Sequence, residues 1–173
     1  NSARWKQPAG YFKQTAKDTR SSFEGVKMSI KEIKSEQRSK TCLISKLDQL
    51  LLQTVAESPA ACYHLQSGGG RTRAKLCLDA GEALNIPQTS IMSLAACIEL
   101  LHNASLIHDD LQDDDIERRG RASVWKRFGK DIALCAGDLM LSNAYSVLSD
   151  YDDTSKLPQL LKCVAENVAQ TID

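Results

Sequence analysis

The sequence predicts an all-α protein, an antiparallel bundle of about six or seven helices joined by short connections. Three observations carry this. Apolar residues recur at three- and four-residue spacing, as in Leu43, Ile44, Leu47, Leu50, Leu51 and Val55. The stretch from Ile91 to Ile107 is mostly apolar on every side, the pattern of a helix buried among others. No segment alternates as a strand does, and the breaks between helical stretches are short clusters of Gly, Pro, Ser or Asp.

Taken in order, residues 1–22 are polar, with Pro8, Gly10 and Ser21-Ser22, and read as a poorly ordered lead-in to a helical domain over 23–173. Val26, Ile30 and Ile33 give a weak apolar stripe, and the helix signal sharpens from Leu43 to Val55. Ser58-Pro59 ends that helix and starts a short one through Leu65, since proline suits a first helical turn. A glycine loop, Ser67 to Arg73, feeds a helix through about Leu84. Asn85-Ile86-Pro87 breaks the chain, and Ser90 is expected to cap the next helix. That helix is interrupted by Glu99, His102 and Asn103, too polar and too short for a membrane span, so no transmembrane segment is expected. Gly120 marks its end and residues 121–130 form a basic loop. A helix rich in Ala and Leu follows from Asp131 to Ser149. Asp152-Asp153-Thr154-Ser155 separates it from a last one, with Leu161, Val164, Val168 and Ile172 on one face.

The 173 residues suffice for one domain with a sizeable core, and the formal net charge is zero. No global field points to nucleic acid. The basic excess of residues 1–40, ten Lys/Arg against four Asp/Glu, reads as solvated helix surface. Six cysteines are scattered with no CxxC and no Cys/His cluster, which suits reduced thiols in a cytoplasmic protein better than disulfides or zinc.

The chemistry concentrates after Ser105. Six carboxylates fall between Asp109 and Glu117, and six basic residues follow between Arg118 and Lys130. In a helix, four residues advance about 400°, so Asp109 and Asp113 face one way, roughly 6 Å apart along the axis. Like charges so placed repel. An acidic run is commonly plain solvated surface, but this one continues a strongly apolar segment and is followed by Arg118-Arg119-Gly120. A divalent magnesium ion would offset the repulsion, and the arginine forks match phosphate oxygens. The glycine loop by itself allows two readings, a backbone cradle with Arg71 and Arg73 gripping a diphosphate, or a solvated turn.

Over roughly residues 43–173 the chain resembles the trans-isoprenyl diphosphate synthase (polyprenyl synthetase) family. The resemblance rests on the run from His102 to Asp113, on Arg118-Arg119-Gly120, and on Ala136-Gly137-Asp138. It implies a helical bundle of the isoprenoid-synthase type and magnesium-dependent condensation of an allylic diphosphate with isopentenyl diphosphate, in a homodimer. Asp109, Asp110 and Asp113 are the implied magnesium ligands, with Asp109, Asp113 and Arg118 catalytic. Arg118 is implied at the allylic diphosphate. Arg119, Arg73 and His102 are implied at isopentenyl diphosphate, where Arg71 could also contribute. Gln170 and Asp173 match a Gln-x-x-Asp facing the allylic substrate. In the family the growing tail runs down the helix that ends in the aspartates. Ala104 and Ser105 are small, so the floor is expected deeper, near Leu101 or Ile98, and the product is expected to be geranylgeranyl or longer.

Two departures stand out. Gly70 occupies the place of the family's diphosphate-binding lysine, and the chain stops at Asp173, before a second aspartate-rich motif. It therefore looks like the N-terminal half of the fold, incomplete at its C-terminus, and is expected to be inactive alone. A class I terpene cyclase is one alternative. The other is a non-catalytic or regulatory diphosphate-binding subunit of the same fold.

Overall fold

The computed structural model describes residues 30–172, so the expected lead-in and the stripe at Val26 lie outside the described residues, as does Asp173. The chain divides into two units, Asn1–Ser39 and Lys40–Asp173. Of the first unit, the described residues are helical.

Seven α-helices occur among the described residues: α1 (Ile30–Thr54), α2 (Pro59–Leu65), α3 (Thr72–Ala83), α4 (Gln88–Gln112), α5 (Val124–Phe128), α6 (Lys130–Ser146) and α7 (Leu157–Ile172). The expected helix from Leu43 is the apolar half of α1, with Leu47, Leu51 and Val55 at its end fully buried. Ser58 caps α2, its Oγ accepting from Ala61 N at 3.2 Å, and Pro59 opens the first turn.

α4 is the central helix, as its all-round apolarity predicts; it packs on α6 most extensively and then on α3. Ala95, Ala96, Leu100, Ala104 and Ile107 are buried along it. By length and composition alone both α4 and the stretch Lys130–Asp150 could cross a bilayer, but the apolar side chains of α4 pack into this core. Gly81 brings α3 close: a Cβ there would stand 2.5 Å from Ile91 Cγ1.

Several boundaries differ from expectation. Pro87, not Ser90, is the residue before α4, and it makes no side-chain cap. Ser90 and Thr89 instead donate their hydroxyls to Asp152, placing a carboxylate at the positive end of the helix. α4 stops at Gln112, eight residues before Gly120, and the expected basic loop contains α5. After α6 the chain tightens into 3-10 turns, Val147–Asp150 and Thr154–Lys156. A minimal antiparallel hairpin, β1 (Glu117–Arg118) with β2 (Arg121–Ala122), was not expected at all. Two-residue strands are too short to show alternation.

Candidate active site

The acidic run sits at the C-terminal end of α4, where the helix dipole is negative and carboxylates are disfavoured. The fold handles each differently. Asp110 is 1% exposed, and its Oδ1 accepts from Arg118 Nε at 2.6 Å and Nη2 at 2.5 Å. The hydrogen bond to Asp110 raises the Arg118 pKa, with Asp109 and Asp115 adding to the field. Asp114 pairs with Lys130 Nζ at 2.6 Å. Asp109 and Asp113 are exposed and in no salt bridge among the described residues; the Asp113 N–H donates to Asp109 O at 2.9 Å and so extends the last turn.

Asp110 thus lies in a different setting from the one expected of a metal ligand. Its carboxylate is buried against an arginine, and its Oδ2 is without a hydrogen-bond partner. Among the described residues no three His, Cys, Asp or Glu side chains converge to hold a metal ion. What remains is a pair of free carboxylates one turn apart, oxygen donors that suit magnesium when phosphate and water complete its shell.

The hairpin explains how adjacent arginines serve opposite sides. Arg119 (φ 55°) and Gly120 (φ 74°) form its two-residue turn, both left-handed as a primed turn requires. Arg118 reaches back to Asp110, while Arg119 crosses to the glycine loop and donates Nη1 to Gly68 O and to Ser67 Oγ. The hairpin is held by Tyr63, whose hydroxyl donates to Ala122 O at 2.8 Å while Arg121 and Arg127 stack on its ring at 4.2 and 4.4 Å.

The glycine loop has a local reason for its composition. A Cβ at Gly69, whose φ is 145°, would press to 3.0 Å from the Arg119 guanidinium. Arg71 does not join the exposed cations as expected. It is 8% exposed, donating Nε to Asp48 at 2.7 Å and Nη1 to Glu99 Oε2 at 3.2 Å. Arg73 is exposed and meets His102 Nε2 at 3.1 Å.

These groups sense one another. Burial, then the Arg73 charge, lowers the His102 pKa. Burial and the neighbouring Arg71 and Arg118 lower that of Arg119. Burial and Arg119 lower that of His64 to about 4. For each of the three, burial is the first cause and a neighbouring arginine the second, so they share one electropositive region.

A cavity of about 790 Å³ opens between α4 and α7. Arg73, His102, His108, Asp109 and Gln112 form its polar margin, and all four residues expected along the tail, Ile98, Leu101, Ala104 and Ser105, line it. Leu160, Val164 and Val168 of α7 face them. The cavity continues past the expected floor to Leu94, fifteen residues and about 22 Å of helix before Asp109. Gln170 is exposed and lies outside the lining, where Val168 and Thr171 take its place. His108 and the α7 residues that do line the cavity, Leu160, Val164 and Val168 among them, are not among the expected site residues. The nearest sign was Ala136-Gly137-Asp138, since His108 packs on Gly137 with Nε2 3.4 Å from Asp138 Oδ1.

A profile described as polyprenyl synthetase matches residues 56–173. The chain is 36% identical over 120 residues to a geranylgeranyl diphosphate synthase of Methanosarcina mazei, covering 68% of this chain and 36% of that one. It is 37% identical over 125 residues to a (2E,6E)-farnesyl diphosphate synthase of Mycobacterium bovis, covering 66% of this chain and 34% of that one. Its fold superposes on a geranyltranstransferase of Thermotoga maritima with a TM-score of 0.65 and 30% identity, over 72% of this chain and 50% of that one. A geranylgeranyl pyrophosphate synthetase of Geoglobus acetivorans gives 0.68 and 29%, over 72% and 43%. The chain therefore spans about a third of the length of those curated relatives and half or less of those solved structures. With the central helix α4, the carboxylate pair and the arginine hairpin all falling inside the matched region, the chain belongs to the polyprenyl synthetase family.

Proposed function

We propose that the protein containing this chain condenses an allylic diphosphate with isopentenyl diphosphate in a magnesium-dependent reaction, giving a product of geranylgeranyl length or longer. The observation that carries this reading is the apolar cavity that begins at Asp109 and runs past Ile98 to Leu94. A diphosphate at the polar margin would place its prenyl tail along Ser105, Leu101 and Ile98.

Asp109 and Asp113 are the residues that would hold magnesium, which supplies positive charge against the diphosphate oxygens. Arg118, fixed by Asp110, adds a guanidinium on the same side. Arg73 and Arg119, with the His102 imidazole against Arg73, form the second group, suited to isopentenyl diphosphate. The allylic C–O bond breaks and pyrophosphate leaves with the electron pair. The isopentenyl double bond then attacks the allylic carbon, and a proton passes to pyrophosphate. The apolar walls keep water from the cation. Two separate cation groups favour two diphosphates over the single one of a terpene cyclase.

A homodimer in the cytoplasm belongs to the same reading; Ile132 and Leu134 on α6, 50% and 49% exposed, are apolar surface that a second copy would cover. One observation favours a non-catalytic subunit instead: Gly70 has no side chain and the Arg71 guanidinium is committed to Asp48 and Glu99, which leaves the loop short of cations. Incubating the intact polypeptide with magnesium, an allylic diphosphate and labelled isopentenyl diphosphate decides between them. Labelled prenyl diphosphates of twenty carbons or more are expected, and binding without turnover would favour the subunit.

A further inference from the structure

Of the three polar residues that interrupt α4, the proposed reaction uses only His102. Glu99, one turn earlier, is 3% exposed, and a carboxylate taken that far from water needs partners for both oxygens. It has them. Oε2 accepts from Arg71 Nη1 at 3.2 Å, and Oε1 accepts from the backbone N–H of Ala74 at 3.2 Å. Asn103 Nδ2 donates to Glu99 O at 2.7 Å and ties the same turn of α4 together.

The second contact is informative. Ala74 is the third residue of α3, whose N–H is ordinarily met by the side chain of the residue before the helix. That residue is Arg71, in a left-handed conformation (φ 48°), and it makes no capping bond because it has only donors. Glu99 supplies the missing acceptor from another helix. One buried carboxylate thus holds both ends of the segment Arg71–Ala74, with Arg73 between them. Its charge also partly offsets the lowering of the His102 and Arg119 pKa values, which burial dominates.

We propose that Glu99 is a positioning residue for the second diphosphate: it anchors Arg71 and caps α3, and so holds Arg73 against His102 and keeps the glycine loop in place. This rests on the reading that Arg73, His102 and Arg119 receive isopentenyl diphosphate, and it assigns Glu99 no contact with that ligand.

The test uses the full-length protein and its Glu99→Gln variant, which keeps the side chain's shape and loses its charge. Two measurements are made: amide exchange across residues 67–74, and steady-state kinetics with each substrate varied in turn. Faster exchange at Ala74 and in the loop is expected. The KM for isopentenyl diphosphate should rise about tenfold or more, the scale of one charge-assisted contact, with kcat and the allylic KM little changed. Arg71→Gln should act in the same direction. Unchanged exchange in Glu99→Gln overturns the anchoring whatever the kinetics show. Faster exchange with an unaltered isopentenyl KM, or an equal loss for both substrates, overturns the positioning role. Wild-type protein that takes up no isopentenyl diphosphate in direct binding overturns the reading beneath it as well.

Discussion

The ring of His108 fills the space that a side chain at Gly137 would need: a Cβ there would lie 2.6 Å from Cδ2 and 2.9 Å from Cε1. The contact joins α4 to α6 at the turn that carries Asp109. Gly137→Ala should therefore force the ring aside or part the helices, destabilising the fold by about 1–3 kcal/mol, the range for overpacked sites. Thermal unfolding checks this, and an unchanged midpoint would mean the ring has room to move.

Asp109→Ala and Asp113→Ala should each lower turnover of the full-length protein in the proposed reaction by about a hundredfold or more, the scale of one lost preorganised electrostatic contact. Neither should destabilise it, because both carboxylates sit exposed at the negative end of α4. Turnover and melting temperature measured together decide; a joint loss would assign them to the fold.

Asp110→Asn should behave the other way. It leaves the Arg118 guanidinium without its charged partner beside a buried position, at a cost of about 1–3 kcal/mol. Denaturant unfolding should show the loss in Asp110→Asn and not in Asp109→Ala. Equal stability of the two variants would contradict the division of roles among the three aspartates.

Acid should weaken the fold through His64. Its pKa falls from the ordinary 6.5 to about 4, chiefly by burial, so the unfolded chain binds this proton more readily than the folded one. The stability linked to it is present above 6.5 and declines as pH drops toward 4, by on the order of 3 kcal/mol at most. Unfolding free energies between those limits should slope less in His64→Gln. A slope identical to wild type would place the proton uptake elsewhere.

Tail length should respond to Ser105→Phe, since Ser105 is exposed and lines the cavity. The product should shorten with little loss of stability. Ala104 lines it too but is only 2% exposed and packed in the core, so Ala104→Phe should shorten the product and also lower the melting temperature. Chromatography of the products checks both, and an unchanged length in both variants would remove the tail from this path.

The sequence by itself determined the helices other than α5, the central place of α4, the start of α2 at Pro59 and the carboxylates one turn apart at Asp109 and Asp113. Each is a local matter of apolar period, turn chemistry or spacing within one helix. Tertiary structure decided which charges are free. Arg71 and Arg73 look alike in sequence, yet Arg71 is buried because Asp48 and Glu99 arrive from 23 and 28 residues away. Asp110 lies between Asp109 and Asp113 and is set apart only by Arg118 on a hairpin whose strands are too short to leave a pattern. Ser90 has the composition of a cap and bonds Asp152 across 62 residues instead. The depth of the cavity was likewise hidden, because its facing wall is α7, and no periodicity in α4 reports what faces it. A charge or hydroxyl takes whichever partner the fold brings within about 3 Å, and that distance is set by packing between elements, not by the spacing along one.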